Sequence, residues 1–208
     1  DIVCYAWQKE EGGQEHFLLA HKTRKWRPSD PPKLLEHVDE WRKPFEGTED
    51  GKTSTDQFRR CVRYLKRWND ICIPTEEDYK PSGLAFVLLA AQELLPTRFT
   101  NGKPNDRRAL RDLALKLSSC AGRLVAQKPT PEHEDLLGHL SDDEMNKFKA
   151  RFATLSAALT EADKETEPMT ACEKLQEVFG DDFPVPSEEE TAEASKAPAV
   201  ITTSSSGA

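Results

Sequence analysis

A chain of 208 residues that is 37% hydrophobic is long enough to bury one good core. Charged residues make up 32% of it and sum to a net charge of −8, which argues against general affinity for nucleic acid. No apolar run reaches membrane-spanning length, since the longest, Leu84 to Leu95, is broken by Gln92 and Glu93 and closed by Pro96, and no signal peptide is visible; a soluble, cytoplasmic protein is the expectation.

In chain order, Asp1-Ile2-Val3-Cys4-Tyr5-Ala6 reads as a buried strand and Glu15-His16-Phe17-Leu18-Leu19-Ala20 as its partner, joined across Gly12-Gly13. Trp26-Arg27-Pro28-Ser29-Asp30-Pro31 has the residues of a turn. From residue 51 the pattern is helical. On a helical wheel Phe58, Cys61, Val62, Leu65 and Cys72 share one face, and Arg59, Arg60, Arg63, Lys66 and Arg67 occupy the other. Lys66 lies at the border, where its ammonium reaches past the packed face toward a cleft.

Lys80-Pro81-Ser82-Gly83 then opens the apolar run Leu84 to Ala91, with Ser82 as the helix cap. Free backbone N–H groups and the helix dipole favour an anion there, so this is a phosphate site in outline. Seen as pattern alone, the cations also suit a solvated helix face and Ser82 a plain cap. Asp106 to Val125 carries Leu110, Leu113, Ala114, Leu117, Ala121 and Leu124 at helical spacing and is closed by Pro129-Thr130-Pro131. Ser141-Asp142-Asp143-Glu144 is a capping box for a helix to about Lys164, with Met145, Phe148, Phe152, Leu155 and Leu159 inward. A last helix, Pro168 to Phe179, turns Met169, Cys172, Leu175 and Val178 inward and stops at Gly180. Beyond residue 187 the glutamates and small residues predict a flexible tail. The five cysteines, Cys4, Cys61, Cys72, Cys120 and Cys172, form no Cys-x-x-Cys pair and read as reduced core thiols, and the histidines lack zinc spacing.

Four segments in this order, Arg59-Arg60-Cys61-Val62-Arg63-Tyr64-Leu65-Lys66-Arg67-Trp68, Lys80-Pro81-Ser82-Gly83, Asn105-Asp106-Arg107-Arg108-Ala109-Leu110 and Val178-Phe179-Gly180-Asp181-Asp182-Phe183-Pro184-Val185-Pro186, resemble the C-terminal half of a bacterial CD-NTase. These are nucleotidyltransferases related to cyclic GMP-AMP synthase and oligoadenylate synthase that make cyclic oligonucleotide signals in anti-phage (CBASS) defence. The resemblance extends over almost all of residues 1 to 186. It implies an α+β chain: residues 1–50 as the C-terminal part of the nucleotidyltransferase palm with a two-stranded hairpin, 51–186 as a helical domain, and 187–208 as the tail.

The family's Gly-Ser motif and Asp-x-Asp pair are absent from the sequence, so the chain reads as a fragment that is inactive alone. In the intact enzyme the resemblance places Asp1 as the third catalytic and metal-binding carboxylate, with Mg²⁺ or Mn²⁺, and Lys66 and Ser82 on the donor triphosphate of ATP or another of GTP, UTP and CTP. The end Thr202-Thr203-Ser204-Ser205-Ser206-Gly207-Ala208 also resembles the tails that a ubiquitin-like conjugation enzyme joins to target amines, here through Ala208. Two alternatives stand beside this reading: a linear oligoadenylate or poly(A)-type polymerase, and a non-catalytic helical module that binds a partner.

Overall fold

The computed structural model describes residues 5–9, 15–21, 25–51, 53–73, 80–130 and 133–187. Strands β1 (Tyr5–Lys9), β2 (Glu15–His21) and β3 (Lys25–Ser29) form an antiparallel sheet in that order, with Tyr5 opposite Leu19 and Phe17 opposite Ser29. The expected hairpin is present as β1 and β2. The segment read as a turn instead begins as a third strand, because β3 is an edge strand and an edge tolerates Pro28, whose missing N–H costs no ladder bond.

Helix α1 (Pro31–Arg42) follows at once, earlier than the helical pattern from residue 51 predicts. Its start signal is local: Asp30 Oδ1 accepts from Lys33 N at 3.0 Å, and prolines occupy the first turn, where no N–H is needed. A 3-10 turn, Lys43–Phe45, brings Phe45 into the core. The described sheet positions with a burial assignment are half-buried or exposed, and α1 buries no residue. Phe17, Leu18 and Leu19 are half-buried, short of the fully buried pairing that their apolar run predicts.

The core lies among α2 (Gln57–Cys72), α3 (Gly83–Glu93), α4 (Asp106–Ser119), α5 (Asp142–Lys164) and α6 (Pro168–Phe179). Its centre is aromatic. Trp68 of α2 lies 5.0 Å from Phe152, which lies 4.8 Å from Phe148, and Phe86 of α3 meets both Trp68 and Phe148 edge-on. Burial of each such ring contributes about 1.5–3 kcal/mol, so α2, α3 and α5 are held as one block. The face predicted for α5 is buried throughout at Met145, Phe148, Phe152, Leu155 and Leu159, and Ser141 with Glu144 forms the capping box.

Helix α4 ends at Ser119, short of Val125. Cys120 turns extended and Gly122 takes a φ of +77°, while Lys149 of α5 donates to the Cys120 and Gly122 carbonyls and so satisfies the open helix end. Leu124 still reaches the core from the chain beyond, whereas Ala121 is exposed. Helix α6 stops where expected, at Gly180 with φ +91°; Met169, Cys172 and Val178 are only half-buried there, and Leu175 is buried. Among the described residues no helix is long and apolar enough to cross a membrane.

Candidate functional site

The site is assembled where the start of α3 lies against the C-terminal half of α2. Ser82 caps α3, its Oγ accepting from Ala85 N at 3.4 Å. The segment ahead of it is fastened to α2 at neighbouring positions: Asn69 Nδ2 donates to Pro81 O at 3.3 Å, and Lys80 Nζ pairs with Asp70 at 3.1 Å. One turn earlier on α2, the Lys66 stem lies against Gly83. A methyl group at position 83 would stand 3.1 Å from Lys66 Cε, 3.5 Å from Cδ and 3.6 Å from Nζ. Glycine at 83 therefore admits the lysine stem, and the ammonium comes to rest at the first turn of α3.

Lys66, Ser82 and Gly83 are exposed, and among the described residues Lys66 has neither hydrogen bond nor ion pair. The first N–H groups of a helix have no acceptor within it, so the Gly83 and Leu84 amides, the helix dipole and one uncompensated cation converge on the same point. Lys80 adds less charge than the sequence promises, because Asp70 neutralises it.

A cavity opens beside Ser82, lined by Lys80, Glu134, Asp135, Leu136, Gly138 and His139. Its acidic wall comes from a tight turn: Asp135 Oδ1 accepts from Ala126 N at 2.9 Å and Leu137 N at 3.0 Å. Glu134 meets Lys128 at 3.1 Å and Arg27 of β3 at 3.8 Å. The carboxylate oxygens that these contacts leave free can accept N–H and O–H donors. The lining residues from 134 to 139 escaped the sequence reading, because their nearness to Ser82 depends on how the loop between α4 and α5 folds back.

Sequence reading also placed Arg60 on the solvated face, yet its side chain is only 11% exposed. It donates to Asp106 through Nε at 2.5 Å and Nη2 at 2.8 Å, and to the Thr48 and Thr55 carbonyls. Hydrogen bonding to Asp106 raises its pKa above the ordinary arginine value. Arg67 likewise donates to Phe179 O at 2.7 Å and pairs with Asp182, across Gly180. These two arginines are thus clamps from α2 to α4 and to the end of α6.

The structure places the Lys66 stem against Gly83, the residue that follows Ser82. Asp1 and Ala208 lie outside the described residues. Among the described residues no group of three or more His, Cys, Asp and Glu side chains is placed to hold a metal ion, so they do not by themselves fit a magnesium site.

No family model and no curated protein matches the sequence. Solved structures do match, and they are of bacterial DncV, a prokaryotic cGAS homolog, the kind of protein that the motifs resemble. The chain matches Vibrio cholerae DncV cyclic AMP-GMP synthase, in complex with nonhydrolyzable GTP, at 19% identity and a TM-score of 0.58, over 82% of this chain and 43% of that one. It matches Escherichia coli DncV in its 3′-deoxy GTP bound form at 17% identity and 0.59, over 85% and 45%. The GTP-bound Vibrio cholerae form gives 19% and 0.60, over 86% and 46%. The chain spans less than half the length of each of these proteins, and at these identities what is shared is the fold.

Proposed function

We propose that this chain is part of a nucleotidyltransferase that joins nucleoside triphosphates into a cyclic oligonucleotide signal in anti-phage defence, with Lys66 and Ser82 on the donor triphosphate. The observation that carries the proposal is the seating of the Lys66 stem on Gly83, which holds an ammonium that is unpaired among the described residues against the capped start of α3. A triphosphate placed there gains a charge-assisted contact from Lys66 and backbone donors from the first turn. The cavity beyond Ser82, with Glu134 and Asp135 on its wall, then offers acceptors to the hydroxyl and amino groups of the nucleoside. The division of labour is electrostatic: phosphate goes to the cationic side and hydrogen-bond donors to the acidic side.

The DncV proteins of the same fold were solved with GTP and, in one case, with ATP and GTP together, which supports nucleoside triphosphates as the ligand class. Asp1 belongs to the same proposal as the acceptor-side carboxylate. In this reading Asp1 acts together with the carboxylates of the family's Asp-x-Asp pair, which the sequence lacks, and for that reason the 208-residue chain alone is expected to make no oligonucleotide from ATP and GTP.

Amide chemical shifts test the binding step directly. Titration of the labelled chain with ATP and magnesium is expected to move the Gly83 and Leu84 resonances, and Lys66→Ala to remove most of that response while leaving the fold intact. Unmoved Gly83 and Leu84 amides at saturating ATP refute the proposal.

A further inference from the structure

Arginines in this chain are almost all committed. Among those described, Arg27, Arg42, Arg59, Arg60, Arg67, Arg107, Arg108, Arg111 and Arg123 face carboxylates, Arg98 donates to two carbonyls, and Arg151 also has a partner. Arg63 is the exception: exposed, with neither hydrogen bond nor ion pair among the described residues. In a chain with 37 acidic and 29 basic residues, a guanidinium without a carboxylate is out of keeping with its surroundings.

Its place on α2 adds meaning. Of the helix's five cations, Arg59, Arg60 and Arg67 are paired, and the two left over, Arg63 and Lys66, are three residues apart. Residues at that spacing are neighbours on a helix surface, with Cβ atoms about 5–6 Å apart. Two unneutralised like charges so placed repel each other, and a ligand with several consecutive anionic groups relieves that repulsion. A triphosphate is long enough to meet both along its length, with a separate phosphate for each cation. Lys66 lies against the first turn of α3, and Arg63 stands one turn nearer the start of α2, so a phosphate chain leading away from α3 along α2 meets Lys66 first and Arg63 second.

We infer that Arg63 holds the terminal phosphate of the donor nucleotide and thereby selects triphosphates over diphosphates and monophosphates. This rests on the donor site proposed above. The planar guanidinium grips a terminal phosphate with two parallel N–H bonds, which a lysine at the same place cannot do.

The test is a nucleotide series, with AMP, ADP and ATP titrated in the presence of magnesium into the chain and its Arg63→Ala, Arg63→Lys and Lys66→Ala variants. Loss of a hydrogen-bonded charge contact is worth about a tenfold change in affinity. Arg63→Ala is therefore expected to weaken ATP about tenfold, to leave AMP unchanged and to bring ATP down to the affinity of ADP, with Arg63→Lys in between. Since Arg63 is exposed and makes no hydrogen bond or ion pair among the described residues, melting temperatures should not change, which separates binding from folding. If Lys66→Ala weakens ATP and Arg63→Ala does not alter the ATP to ADP ratio, the inference about Arg63 is overturned and the donor site stands. If the unmodified chain binds no ATP, both fall. Should Arg63→Ala instead weaken a single-stranded oligonucleotide and spare ATP, Arg63 is a nucleic-acid contact and the inference is wrong.

Discussion

Replacing Asp106 by alanine should unfasten α4 from α2. Asp106 accepts three bonds, from Arg60 Nε at 2.5 Å, Arg60 Nη2 at 2.8 Å and Gln57 Nε2 at 3.0 Å. The Arg60 side chain is 11% exposed, so its charge cannot recover full hydration once the carboxylate is gone. The Thr48 and Thr55 carbonyls still satisfy part of the guanidinium, but they do not neutralise it. Gln57, buried under the same carboxylate, keeps the Thr97 carbonyl as an acceptor at 3.0 Å. Breaking a buried ion pair from one side costs about 3–5 kcal/mol, and the partial exposure of Asp106 argues for the lower end, about 3 kcal/mol. For a protein of this size each kcal/mol moves the melting midpoint by roughly 2–4 °C, so a drop of roughly 6–12 °C is expected by calorimetry. Replacing both partners, as Arg60→Met with Asp106→Leu, should recover most of the loss, because the cost lies in the stranded charge more than in the missing attraction. An Asp106→Ala protein that melts within about 1 °C of the unmodified chain would sink this account.

Two further outcomes follow from local geometry. Gly83→Ala places a methyl group 3.1 Å from Lys66 Cε, so the lysine stem must give way by a few tenths of an ångström. A helical glycine with ordinary φ is being replaced, and stability should rise by about 0.5 kcal/mol while ATP affinity falls; an unchanged affinity would disconnect Gly83 from the site. Burial pushes the Cys72 thiol from its ordinary 9.0 up to about 11, against the opposing pull of Arg151. Because the protonated form is favoured in the folded state, this contribution is fully present below pH 9 and is lost as pH rises from 9 through 11. Thermal melts across that range should fall more steeply for the unmodified chain than for Cys72→Val, and equal slopes would contradict the assignment.

The arginine face of α2 shows how far pattern carries. Periodicity separates Phe58, Cys61, Val62 and Leu65 from the cations correctly, because burial along a helix follows a fixed angle per residue. It cannot say which cation is spoken for. Arg60 and Arg67 are paired by residues 46 and 115 positions away in sequence, Asp106 and Asp182. The segments that carried the family resemblance are thus joined to one another in space: the α2 segment meets Asp106 through Arg60 and the stretch after α6 through Arg67.

Local chemistry in the sequence by itself determined the α2 to α6 helices, the caps at Ser82 and Ser141, the stop at Gly180 and the inward face of α5. Each of these depends on residues within a turn or two of one another. Tertiary structure alone decided that Lys80 is neutralised by Asp70, that Glu134 and Asp135 wall the cavity beside Ser82, and that Lys66 rests on Gly83 with Arg63 left unpaired among the described residues. The physical reason is that a capping bond or an apolar stripe is fixed by neighbours along the chain, whereas charge neutralisation and cavity lining are fixed by what folding brings across from distant segments.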